Sequence, residues 1–142
     1  MKITKVSIEC IRQRMNNLSQ ETGGIMGSAD GETISEIIID RPNHATHRCF
    51  YAPNVQFFNE CIAKWQREGK YFMGMFHTHF HNVKTLSEAD TAYITAIMNA
   101  MPCDIKELFF PVFVLPNQEF VCFKATREDS SIILEQDTLE II

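Results

Sequence analysis

Val6, Ile8, Ile11, Met15 and Leu18 recur at roughly helical spacing among polar and charged neighbours. The pattern predicts an amphipathic helix over residues 5–19 with one face on the core. Gly23–Ser28 and residues 34–40 read as two strands. The Asp30-Gly31 pair between them predicts a tight hairpin turn, because both residue types tolerate positive φ. Pro53 opens a second helical pattern through Val55, Phe58, Ile62 and Trp65, and Gly69 stands just beyond it, matching the preference for proline at helix starts and glycine at helix ends. Residues 71–77, rich in aromatic side chains and methionine, read as a central strand. A third helix is predicted from Ser87 to near Met101, where Pro102 stops it. Apolar runs at 108–115 and 119–124, joined by Pro116-Asn117-Gln118, predict a second hairpin, and 132–134 an edge strand. The sum is an α/β sandwich, a mixed sheet with helices packed on it.

Composition narrows the function classes. The 142 residues are 45% hydrophobic with 11 Phe, enough for one packed core, and no repeat or long Pro, Gly or Ser linker divides them, so residues 1–142 are read as one domain. Thirteen basic against eighteen acidic side chains give a net charge of -5, the wrong sign for attraction to a phosphate backbone, so nucleic acid is not an expected partner. The first residues, MKITKVSIECIRQR, alternate charged and apolar types. That pattern is neither a signal-peptide core nor a membrane span, and the expected location is cytoplasmic. Cysteines stand at positions 10, 49, 61, 103 and 122 with no Cys-x-x-Cys pair. They are expected to be reduced and mostly buried small apolar fillers, not disulfides or a thiolate metal site.

The chemistry concentrates in one stretch: His77-Thr78-His79, seven residues, then Ser87-Glu88-Ala89-Asp90. Residues i and i+2 of a strand project from the same face, so His77 and His79 point together. Ser87 is a good N-cap, which places Asp90 in the first turn of the helix that follows. Two neutral imidazoles and one carboxylate make an open tetrahedral zinc site whose fourth position is left for water, the arrangement of catalytic zinc. His81 reads as a solvated loop histidine outside the metal set. His44 and His47 read as part of a polar surface loop. Phe58, Trp65 and the Phe109-Phe110 pair fit core faces. Glu21 taken alone is an ordinary solvated residue after a helix. Gly23, Gly24 and Gly27 either permit close backbone packing or a bulge in the first strand, or serve a substrate-facing purpose.

Glu21 with Gly23-Gly24-Ile25-Met26-Gly27, followed by His77-x-His79-x7-Ser87-x-x-Asp90, resembles the signature of the JAB/MPN (JAMM) metalloproteases. The element order helix, hairpin, helix, strand, motif, helix, hairpin is similar to that fold over most of the chain. The resemblance implies a JAB/MPN domain of cytidine-deaminase-like architecture with one Zn2+ on His77, His79 and Asp90. It implies Glu21 as general acid/base toward a zinc-bound water and Ser87 as a donor to the tetrahedral oxyanion. The implied activity is that of a metallopeptidase or isopeptidase. The implied substrate is an amide bond at the C-terminal tail of a ubiquitin-like or sulfur-carrier-like protein, handled alongside conjugation-like enzymes. Phe80 and Leu86 stand where many members carry proline, and the chain is too short for the long insertions of some eukaryotic deubiquitinases, so it resembles the compact prokaryotic-type members. Two other readings stay open: a non-catalytic MPN-type scaffold, and a hydrolase of small or cell-wall peptides.

Overall fold

The structure is a computed structural model that describes residues 1–41 and 51–142; the reading of His44 and His47 as a surface loop, and Cys49, lie outside the described residues. In chain order the elements are β1 (Lys2–Ile3), α1 (Lys5–Met15), β2 (Gly23–Ser28), β3 (Thr33–Ile34), β4 (Glu36–Ile39), α2 (Val55–Arg67) and β5 (Tyr71–His79). They continue with α3 (Glu88–Ala100), β6 (Glu107–Phe109), β7 (Val112–Val114), β8 (Glu119–Glu128), β9 (Ser131–Asp137) and β10 (Glu140–Ile141). The larger sheet runs β4, β2, β5, then β6 and β7, which share one place between β5 and β8, then β9. Its β5 pairs parallel with β6 and β7, and the other neighbours are antiparallel. This is the mixed sheet with packed helices that the hydrophobic pattern predicts.

Alternation along the strands sends side chains to two cores. On one face α1 contributes Ile8, Ile11 and Met15, which pack with Met26, Phe76 and Phe113. On the other, Phe58 and Trp65 of α2 and Ile94 and Met98 of α3 pack with Ile25, Met75 and Leu108. Neighbours in sequence, Ile25 with Met26 and Met75 with Phe76, therefore serve opposite cores.

The differences from the sequence reading have local causes. The first helix ends at Met15 rather than near 19, with Asn16 as its C-cap; asparagine is a weak helix former. Val6 is 80% exposed, since two residues before Ile8 it lies about 160° around the helix from that side chain. In the first hairpin only Gly31 has positive φ, at 81°; the Asp30 carboxylate instead accepts the backbone N–H of Glu32 and of Thr33, each at 2.8 Å. This makes a longer, side-chain-closed turn. The strand expected over 108–115 breaks into β6 and β7 at Phe110-Pro111, where proline cannot donate to the ladder. A small parallel sheet, β10-β1-β3, has strands of two residues each, too short for a periodicity signal. Of the described cysteines Cys122 is buried, Cys10 and Cys61 are half-buried and Cys103 is exposed, so the expectation of mostly buried thiols does not hold for them. No helix among the described residues is long and apolar enough to cross a membrane.

Candidate metal centre

Strand β5 runs two residues further than its sequence suggests and carries both histidines inside the sheet. Gly23 pairs with His77 across the β2–β5 ladder, and the ladder continues as Thr78 N–H donates to Thr22 O at 2.8 Å. His77 and His79 share the β5 face of Met75, the side covered by α2 and α3, and Glu21, next to Thr22, lines the same cavity as the two histidines. Both glycines of the pair are there for close packing: a Cβ on Gly23 would lie 2.2 Å from Phe76 O and 2.9 Å from the Tyr51 ring, and one on Gly24 2.3 Å from Ile38 O. Thr78, fully buried between the histidines, adds a second clamp, its Oγ1 accepting Thr22 N–H at 3.0 Å.

The third member arrives through a helix cap. Ser87 Oγ accepts Asp90 N–H at 3.1 Å and Ser87 N–H donates to Asp90 Oδ2 at 2.8 Å, a reciprocal capping box. The cap fixes the Asp90 rotamer, and its carboxylate meets His77 Nε2 at 3.2 Å through Oδ1 and His79 Nε2 at 3.1 Å through Oδ2. The two Nε2 atoms are 2.9 Å apart. His79 Nδ1 lies 3.1 Å from Val83 O; a carbonyl only accepts, so Nδ1 carries the proton and the Nε2 lone pair faces its two neighbours.

Ligands at 2.0–2.1 Å from a tetrahedral zinc are separated by about 3.3 Å. The observed separations of 2.9 to 3.2 Å fall just inside that edge, and a borderline-soft divalent ion suits two imidazoles and a carboxylate. The geometry fits: His77, His79 and Asp90 could hold a metal ion together. His81 stays outside this cluster.

The three groups also act on one another's charge. Burial raises the Asp90 carboxyl, but the neighbouring His77 and His79 rings outweigh it and leave the group well below the ordinary carboxylate range. Burial disfavours the His79 imidazolium, yet the Asp90 carboxylate more than offsets that, and the net shift is upward. Glu21 is raised above the ordinary range, chiefly by burial, with His79 pulling it down and Asp90 pushing it up.

These side chains line a cavity of about 700 Å³, with Tyr51, Met75, Phe80, Leu86, Tyr93 and Phe110 among its apolar walls. Phe80 and Leu86 thus shape the cavity and not the cluster. The sequence reading missed Tyr51 and Tyr93. Tyr51 O–H donates to Asp40 Oδ2, which also accepts Asn54 N–H at 3.0 Å, so the ring that roofs Gly23 is tied to the start of α2. Tyr93 is pushed up to about 12 by burial and by the Asp40 charge. The available signal for Tyr93 was its position three residues after Asp90 on α3, and for Tyr51 there was none.

The sequence matches no protein-family model and no curated protein. The fold has close company among solved structures. A Desulfitobacterium hafniense protein determined in solution superposes with a TM-score of 0.69 at 15% identity, covering 99% of this chain and 92% of that one. A JAB1/MPN domain protein from Archaeoglobus fulgidus superposes with a TM-score of 0.60 at 16% identity, covering 100% of this chain and 99% of that one. At such identities the likeness speaks for the fold alone, and the fold is JAB1/MPN-like.

Proposed function

We propose that this chain is a zinc-dependent metallopeptidase or isopeptidase of the JAMM type, acting on an amide bond at the C-terminal tail of a ubiquitin-like or sulfur-carrier-like protein. The observation that carries the reading is the convergence of His77, His79 and Asp90 beside Glu21 in a cavity on a JAB1/MPN-like fold. Zinc held by those three residues would supply a Lewis acid that polarises the scissile carbonyl and acidifies the attacking water. The remaining work falls to the chain's own groups. Glu21, whose pKa is raised above its ordinary value by burial, takes the proton from the attacking water and returns it to the departing nitrogen, a role worth typically about 10²–10⁴-fold. Ser87 Oγ accepts from Asp90 N–H, which leaves its O–H proton to donate to the developing oxyanion. The apolar walls from Met75, Phe80, Leu86 and Phe110 exclude bulk water and strengthen each of these interactions.

The test pairs metal content, by mass spectrometry, with cleavage of a ubiquitin-like tail fusion in wild type, Glu21→Ala and His79→Ala. About one zinc per chain, lost in His79→Ala and kept in Glu21→Ala, with cleavage lost in both, is the expected result. Wild type that takes up no zinc after reconstitution moves the protein to the scaffold reading. Cleavage of short peptides but not of the fusion moves it to a small-peptide hydrolase.

A further inference from the structure

The loop leaving β5 is built on unusual backbone. His81 and Asn82 have φ of 57° and 55°, and Val83 N–H donates to Phe80 O at 3.2 Å. Two successive positive φ values inside a four-residue, hydrogen-bonded turn are the pattern of type I′, where Asn-Gly is usual and two residues with side chains are not. Histidine and asparagine are among the few non-glycine types that tolerate this region. Three contacts hold the turn in place. Leu115 N–H donates to His79 O at 2.8 Å and Leu115 O accepts Asn82 N–H at 2.8 Å, so one residue just past β7 grips both sides of the turn. Asn82 Oδ1 accepts Asn117 N–H at 3.2 Å.

The outcome of that geometry is the direction of one carbonyl. Val83 O is turned back toward β5 and sits 3.1 Å from His79 Nδ1. We infer that the Phe80–Val83 turn tunes the metal centre, with Asn82 as the positioning residue whose positive φ aims the Val83 carbonyl at His79 and so locks the tautomer that presents Nε2 to the metal. The inference rests on reading His77, His79 and Asp90 as a metal site. At ordinary negative φ for residue 82 the chain leaves the turn in another direction, the Val83 carbonyl moves off, and His79 is free to rotate or to place its proton on Nε2. Outer-shell partners of this kind typically control about 10–100-fold in metal affinity.

Asn82→Gly and Asn82→Val separate the backbone from the side chain. Both delete the Oδ1 acceptor, but glycine adopts positive φ freely and a β-branched residue does not. Zn2+ affinity is measured by chelator competition, and the His79 tautomer by long-range proton–nitrogen correlation in the metal-free protein with neutral imidazoles. Circular dichroism checks the fold, and Asn82→Ala replaces the valine variant should that one not fold. The expected result is Asn82→Gly within roughly 3-fold of wild type and Asn82→Val weaker by about 10–100-fold, with the Nδ1–H form lost only in the latter. A folded Asn82→Val that binds Zn2+ as wild type does overturns the inference, as does an Asn82→Gly that loses as much as Asn82→Val; tight binding by wild type in either case leaves the metallopeptidase reading standing. If wild type binds no Zn2+, that reading fails by itself, and the tautomer comparison still decides the inference: Nδ1–H retained in Asn82→Val overturns it.

Discussion

Replacing Thr78 by valine removes one hydroxyl and almost no volume from a fully buried position, so its effect isolates the clamp between β2 and β5. Thr78 Oγ1 accepts Thr22 N–H at 3.0 Å and donates to Thr22 O at 3.3 Å. The bond from Thr78 N–H to Thr22 O at 2.8 Å survives the substitution. What valine leaves behind is an unpaired Thr22 N–H. A lost hydrogen bond costs about 1 kcal/mol and a stranded buried donor about 1–3 kcal/mol. Thr22 is only half-buried, so water partly rescues it and the expected loss is about 1–2 kcal/mol. For a chain of this length that lowers Tm by roughly 3–8 °C. The catalytic effect is expected to exceed the stability effect, because Thr22 directly precedes the ladder and carries Glu21 beside it. Misplacing a proton-transfer group by about 1 Å costs on the order of 10²-fold, so turnover should fall by about 10–100-fold with zinc content and KM unchanged. Differential scanning calorimetry, metal analysis and steady-state cleavage on the same samples read all three quantities, and Thr78→Ser, which keeps the hydroxyl, should restore turnover. A Thr78→Val protein that melts within about 1 °C of wild type and turns over normally would show that Thr78 does not hold Glu21.

Ser87→Ala should cost about 1 kcal/mol through the lost cap and about 10²–10³-fold in turnover through the lost oxyanion donor; equal turnover on a stable variant would remove Ser87 from the mechanism. Gly24→Ala should destabilise by about 3 kcal/mol, the upper end for overpacking, since its Cβ meets the Ile38 carbonyl at 2.3 Å and the Phe76 ring at 2.6 Å; a urea midpoint unchanged from wild type would contradict the close packing of β2. The Asp30 carboxyl is lowered from 3.8 to about 2, first by the Thr33 N–H bond and then by those from Glu32 N–H and the Ser28 hydroxyl. A depressed folded pKa contributes stability that is fully present above the unfolded value and disappears as pH falls through the folded one. The Tm difference between wild type and Asp30→Asn should therefore be constant at neutral pH and shrink between about pH 4 and pH 2. A difference that stays constant across that window would refute the assignment.

Much of the site was legible because its spacing is enforced by local geometry. The alternation of a strand puts His77 and His79 on one face whatever surrounds them, and Ser87 reads as an N-cap with Asp90 in the first turn, which the structure closes into a reciprocal capping box. The helices α2 and α3 were equally plain, since Pro53 and Ser87 stand at their starts and Pro102 closes the second. Glu21 was different. Nothing in its neighbourhood says that it shares a cavity with a histidine nearly sixty residues away, and the family signature alone drew attention to it.

The sequence by itself determined the periodic elements, the mixed-sheet class and the residue types of the cluster, because each depends on interactions a few residues long. Only the tertiary structure decided that Glu21 shares a cavity with His77 and His79, that Val6 faces outward while Ile8 and Ile11 pack inward, and that Tyr51 and Tyr93 wall that cavity. It also decided that the turn with positive φ at His81 and Asn82 sets the Val83 carbonyl 3.1 Å from His79 Nδ1. Those facts rest on strand register, on the direction of a turn and on which face a helix buries. Register and burial are settled by contacts between segments far apart in the chain, whose free energies add up only once the whole core has formed.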